Sequence, residues 1–238
     1  MLAFFRKIRK SIIESGSARK YLLYAIGEIL LVVIGILIAL QINNWNEWKK
    51  DRVREKEILS DLAETFELNI ESLEEDIAFL QVLSQSSRVV LSALHERLPF
   101  HDSLARHFHL ARVPKHNLVL SLSGYEQYKN KGYDIILNKR VRDEIVAFFE
   151  SAYPKWIRNY SMVNDHYVPF IDHVVPLFIY TSESLVPIDM ESLYDDQYYL
   201  GWVRAYMEGR YTLVDYETGF VGENQRILQL LRDELGSK

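Results

Sequence analysis

The chain contains no cysteine, which excludes disulfides, thiol catalysis and thiolate metal sites and is compatible with either side of a membrane. Glycine-rich phosphate loops, a GxSxG elbow and an HExxH pair are also missing. Asp and Glu are plentiful, yet the sequence shows no cleft that would nominate one as acid and another as base. No catalytic residue, metal site or cofactor is therefore assigned, and the expectation is a protein that is not an enzyme. Internal repeats and low-complexity tracts are absent. Two further gaps are positional. Proline and glycine do not occur between Trp45 and Leu94, and charge almost vanishes between Tyr21 and Ile42, where Glu28 stands alone.

That second stretch, YLLYAIGEILLVVIGILIALQI, carries the most information. At about 1.5 Å of rise per residue its first twenty positions cover roughly 30 Å, the hydrocarbon thickness of a bilayer. A core helix of a soluble protein is usually shorter and shows a polar stripe, which Ile29 to Leu40 does not. A cleaved signal peptide would have an apolar region of roughly 7 to 15 residues before a small-residue cleavage site. Here the run is longer and leads into QINNWNEW. The expectation is an uncleaved signal anchor, a transmembrane helix over 21–42.

Basic residues set its orientation. Arg6, Lys7, Arg9, Lys10, Arg19 and Lys20 precede the span, and Lys49, Lys50, Arg52, Arg54 and Lys56 follow it. Arg19 and Lys20 abut the apolar run, whereas the first basic residue beyond Ile42 is Lys49, so the N-terminus reads as cytoplasmic and the bulk of the chain as extracytoplasmic. Trp45 and Trp48 fall at the far interface, where an indole buries its ring and keeps its N–H wet. Residues 1–20 are either a short helix lying on an anionic leaflet or a basic tail that only sets topology.

The net charge of −5 hides an asymmetry: residues 1–42 hold six basic and two acidic side chains, so the remainder carries −9. That remainder repels nucleic acid and anionic lipid. The partners expected are the lipid bilayer and other copies of the chain or another membrane protein, with no nucleic acid.

Beyond the span, Leu59, Leu62, Phe66, Ile70, Leu73, Ile77, Leu80 and Leu83 recur at steps of three and four, which predicts a long amphipathic helix over 43–96. Its stripe is either a coiled-coil seam between subunits or one wall of a bundle, and the break at Asn69 favours the bundle. Residues 97–238 are expected to form a helical domain packing with 43–96. Within it a short helix is expected from Asp102 to Leu110. A capping box at Ser123-Gly-Tyr-Glu126 opens a helix that stops near Gly132. Asn138 N-caps the next, with Val141, Ile145, Phe148, Ala152 and Trp156 on one face and Pro154 interrupting it. FIYTSESLVPIDM is the least regular segment and holds short extended pieces at most. Tyr194 to Met207 and Thr218 to Leu235 read as two closing helices, and the aromatic cluster of the first reads as core. The fold class is mainly α: one N-terminal transmembrane helix continuing into a long helix and an extracytoplasmic helical bundle.

The stretch KYLLYAIGEILLVVIGILIALQINNWNEWKKDR, Lys20 to Arg52, resembles the N-terminal signature of an uncharacterised family of single-pass bacterial membrane proteins abundant in Bacteroidota. SLSGYEQYKNKGYDIILNKRVRDEIVAFFESAYP is similar to that family's second recurrent block, with Tyr125, Gly132, Asn138 and Arg142 on its pattern and Lys131 where Ser is more usual. The resemblance implies an inner-membrane anchor, a mostly helical periplasmic domain and no assigned activity.

Glu28 is the sharpest candidate for function, because an ionisable group in a span costs about 2.5–3.5 kcal/mol on insertion scales and implies a partner or a water path. On a helix Glu28, Gly35 and Ile42 share one side, and Gly35 with Ala39 forms a small-xxx-small pair that lets a second helix approach closely. The reading is self-association through Glu28, Gly35 and Ala39. The alternatives are an accessory subunit of an ion- or proton-coupled membrane machine using Glu28, or a snorkelling carboxylate near the inner end of the span. His101, His107, His109 and His116, and the repeated pairs Asp165-His166 and Asp172-His173, invite a metal reading. Pro169 between the pairs and the lack of any metal motif weigh against it.

Overall fold

The computed structural model describes residues 18–113, 118–161 and 167–237. The N-terminal tail, His116, Asp165 and His166 lie outside the described residues, as do the side chains of Arg19 and Lys20. The chain is mainly α. It falls into two compact units, Met1–Arg54 and Glu55–Lys238.

The first helix, α1, runs from Ala18 to His95. Nothing in Trp45–Leu94 breaks it, since every residue there can donate its backbone N–H and none carries the entropic cost of glycine. Its end is a Schellman turn: the Leu98 N–H reaches the Ala93 carbonyl at 2.9 Å and the Arg97 N–H reaches Leu94 at 3.2 Å. Arg97 takes the left-handed conformation at φ 49°, and Pro99 follows.

In the second unit α1 is one of two antiparallel rails. The other is α8, Gln197–Gly236, and the register is fixed by Arg232 to Glu67 at 2.7 Å and Arg210 to Ser87 at 2.7 Å. Two cores fill the space against these rails. In the first, Leu59, Leu62, Phe66, Leu73 and Leu80 of α1 meet Phe220, Ile227 and Leu231 of α8. This core is closed by α3 (Ser123–Lys131), α4 (Lys139–Ala147) and α5 (Tyr153–Ser161). In the second, Val90 and Leu94 meet Tyr199, Val203 and Tyr206, with α2 (Asp102–Arg112), α6 (Tyr167–Val174) and α7 (Met190–Tyr194) around them. The amphipathic stripe of α1 from Leu59 onward is thus covered by its own chain, and the aromatic run of α8 is largely core.

Asn69 breaks the stripe for a reason. Its side-chain amide donates to the Ser121 carbonyl at 3.0 Å and its Oδ1 accepts the Ser121 N–H at 2.7 Å, so one buried side chain satisfies both polar groups of a loop residue.

Two local expectations change. Ser123 is the first residue of α3 and not its cap; Thr65 Oγ1 of α1 takes the Gly124 N–H at 3.0 Å and Ser121 Oγ takes that of Ser123 at 3.3 Å. The cap is supplied from a distant helix, and a capping box cannot form. The two closing helices are one. Gly209, Gly219 and Gly222 sit inside α8 without ending it, because a helical glycine costs only about 1 kcal/mol and the core anchors on both sides exceed that. The short extended pieces expected in FIYTSESLVP are there and pair as a hairpin, β1 (Phe178–Tyr180) antiparallel to β2 (Leu185–Pro187) with Ile179 opposite Val186. Asn138 does cap α4, its Oδ1 accepting from Arg140 at 3.1 Å. The segment before Pro154 winds as a π-helix over Phe148–Ala152. The wider turn accommodates a residue with no N–H to donate.

Candidate functional site

Among the described residues one helix, α1, is long and apolar enough to cross a membrane, and its apolar part lies near the N-terminus. No residue from Leu22 to Lys50 is buried. Ile29, Leu31, Leu37 and Ile38 are each more than half exposed, as are Trp45 and Trp48 beyond them. Lys49 places its ammonium 4.0 Å from the centre of the Trp45 ring, the pairing of amphipathic groups that suits an interface. Glu28 is half-buried and keeps a polar interaction. Gly35 opens onto free space, since a Cβ there would meet no atom within 4 Å. Helical periodicity puts Glu28, Gly35 and Ala39 on neighbouring positions of one side.

The second unit holds a groove of about 540 Å³ between the α4–α5 arm and α8. Ala147, Ser151, Lys155 and Trp156 form one wall, and Asp215, Gly219 and Glu223 are on the other. Trp156 stacks on Phe220 with centroids 4.9 Å apart and on Tyr160 at 5.1 Å, which makes the floor rigid and aromatic. No local signal announces it, because its walls, Ala147–Trp156 and Asp215–Glu223, are far apart in the chain.

Several polar side chains are interior. Arg210 is 1% exposed; it donates to the Ala111 and Val113 carbonyls at 3.0 and 2.5 Å and to Leu83 and Ser87 of α1. These are carbonyls at the C-terminal end of α2, which have no intrahelical donor, so one guanidinium ties three helices where the two cores meet. Tyr160 receives the Leu118 N–H at 3.2 Å and donates to Asp76 at 3.3 Å. Burial first, and the Asp76 carboxylate second, push its hydroxyl well above the ordinary tyrosine range. Tyr125 is raised in the same way, by burial and then by its 2.5 Å hydrogen bond to Glu150.

The second resemblance block is architectural. Tyr125 stacks on Phe149 at 4.3 Å, Gly132 takes φ 93°, Asn138 caps α4, and Arg142 pairs with Asp134 at 2.9 Å. The histidines are dispersed: His101 caps α2, His107 meets Ser86 at 3.2 Å, and His173 bonds Asp196 at 2.8 Å. His109 is held below its ordinary pKa by burial and then by Arg112. Among the described residues no three His, Asp or Glu converge as metal ligands.

The architecture defines a class: a mainly α protein with an N-terminal helix of membrane-crossing length ahead of a two-core helical domain. Residues 28–98 match a family of unknown function, DUF6090. The match begins at Glu28 and ends at Leu98, the residue that closes the Schellman turn, so it covers α1 from the carboxylate of its apolar run to its terminator. No curated protein and no solved structure matches the chain.

Proposed function

We propose that the protein is a single-pass inner-membrane protein, N-terminus cytoplasmic and helical domain periplasmic, whose role is assembly, with self-association through the face of Glu28, Gly35 and Ala39. The observation that supports it most is the apolar length of α1, with no residue from Leu22 to Lys50 buried and with one carboxylate and an open glycine on the same side. In hydrocarbon there is no hydrophobic drive between helices, so small residues that permit close approach and a carboxylate that gains a partner are the available sources of association. Burial of the Leu59–Leu83 stripe within its own chain argues that association does not run through that seam.

The test is the mass of the tagged full-length protein extracted from native membranes in mild detergent, measured by light scattering, with co-purifying proteins identified. A homo-oligomer that weakens in Gly35→Leu and in Glu28→Leu is the expected result. A monomer of unchanged size in wild type and both variants would sink the proposal. The ionisable group in the span favours one second reading, an accessory subunit of an ion- or proton-coupled machine. It requires a stoichiometric multi-span companion and loss of that machine's function in Glu28→Gln.

A further inference from the structure

The groove between the α4–α5 arm and α8 has features that the packing of the domain does not demand. Its volume, about 540 Å³, lies in the range of roughly 300–1,000 Å³ typical of small-ligand sites. Its charges are unspent. Lys155 on one wall and Asp215 and Glu223 on the other take part in none of the ion pairs among the described residues. Neighbouring side chains on the same helices do pair, as Arg226 does with Glu144 and Lys139 with Asp143.

The backbone keeps the space open from both sides. Gly219 lies inside α8, where glycine is the weakest helix former after proline, and a Cβ there would meet nothing within 4 Å. Neither a close helix approach nor a positive φ explains it. Opposite, Ser151 and Ala152 belong to the π-helical turn, a feature that recurs at functional sites. The stacked rings of Trp156 and Phe220 lie buried beneath it, and the apolar lining that stays accessible is Ala147, Ala152 and Tyr216.

The chemistry of the walls selects the occupant. One cation against two carboxylates disfavours phosphates, nucleotides and other polyanions. A cation alone would leave Lys155 opposed to it. A molecule with an ammonium at one end, a carboxylate at the other and an apolar body satisfies both walls and the apolar lining between them. We propose that this groove binds short zwitterionic peptides, the ammonium at Asp215 and Glu223, the carboxylate at Lys155, and an aliphatic or aromatic side chain against Ala147, Ala152 and Tyr216. The site is independent of association through the membrane span.

The experiment is isothermal titration of the full-length protein in detergent with Leu-Leu and Leu-Phe. Each is compared with its N-acetylated, C-amidated form, which keeps the apolar body and lacks both charges. Saturable binding of the free dipeptides, weakened about tenfold or more by capping, is expected. Gly219→Leu places a side chain in the groove from a Cβ that meets nothing within 4 Å, so it should abolish binding while leaving the melting temperature unchanged or higher. Lys155→Ala and Asp215→Asn should each weaken the free dipeptides and leave the capped forms unaffected. Absence of binding by both dipeptides at millimolar concentration overturns the proposal, as does binding that survives Gly219→Leu in a folded protein. Equal binding of free and capped forms also overturns it, because the zwitterionic assignment then fails.

Discussion

Gly124 shows how a single residue can be fixed by a neighbour far away in the chain. A Cβ at this position would lie 2.5 Å from the Asp61 carbonyl oxygen and 2.6 Å from Thr65 Oγ1, so Gly124→Ala should cost about 1–3 kcal/mol and displace α3 from α1. Gly222 is the contrast, with nothing within 4 Å; Gly222→Ala should raise stability by about 0.4–1 kcal/mol. Denaturant midpoints of the two variants in one detergent check both signs. The tyrosines give a pH prediction. Burial pushes Tyr128 up to about 12, and Tyr160 and Tyr199 are also raised, chiefly by burial. The unfolded chain releases these protons near pH 10 while the folded chain holds them, so the stability they support is complete below about pH 10 and falls as pH rises beyond it. Melting temperatures between pH 8 and 12 should drop steeply, and less steeply in Tyr128→Phe. An unchanged slope in that variant would remove Tyr128 from the explanation.

At the scale of elements, the two rails depend on a few cross-links. Arg210 is the principal one, because Arg210→Met would take the side-chain donor from the Ala111 and Val113 carbonyls, while that of Leu83 keeps the Ser87 hydroxyl. The loss should be on the order of 3 kcal/mol or more, read as a shift in denaturant midpoint, with Arg210→Lys recovering only part of it since an ammonium cannot fork to two carbonyls in a plane. The sequence made α1, α2 and α4 legible because their signals are local: uninterrupted three-four spacing, and Asn138 followed by an apolar face. It placed α3 correctly from Ser123 to the stop at Gly132 but misled about its cap, and it misled at α8. Ser123 and Glu126 have the spacing of a capping box, yet Thr65 reaches the helix end first; glycines that weaken an isolated helix are overruled by Tyr199, Val203, Leu213 and Phe220 anchored in two cores.

For the whole molecule, the proposed topology has a direct readout that the composition makes simple. Because the chain has no cysteine, Ser15→Cys and Ser182→Cys introduce the sole thiols of their variants. In intact spheroplasts a membrane-impermeant maleimide should label Ser182→Cys and spare Ser15→Cys until the membrane is opened. The reverse pattern would invert the orientation, and equal labelling of both in sealed spheroplasts would remove the span. Ser182 lies exposed in the turn between β1 and β2, so its labelling does not depend on unfolding.

By itself the sequence determined the fold class, the apolar length of α1, and the stripe that α1 buries, because composition and periodicity are properties of consecutive residues. It also marked Asn69 as an exception without saying why. Only the tertiary structure decided that the exception is a clamp on Ser121, that α8 is one helix, and that Ser151, Lys155, Asp215 and Gly219 face one another across a groove. Those outcomes depend on contacts between residues 52 to 165 positions apart. Burial, close approach and borrowed hydrogen bonds can override local preferences of about 1 kcal/mol per residue, and no window along the chain contains both partners.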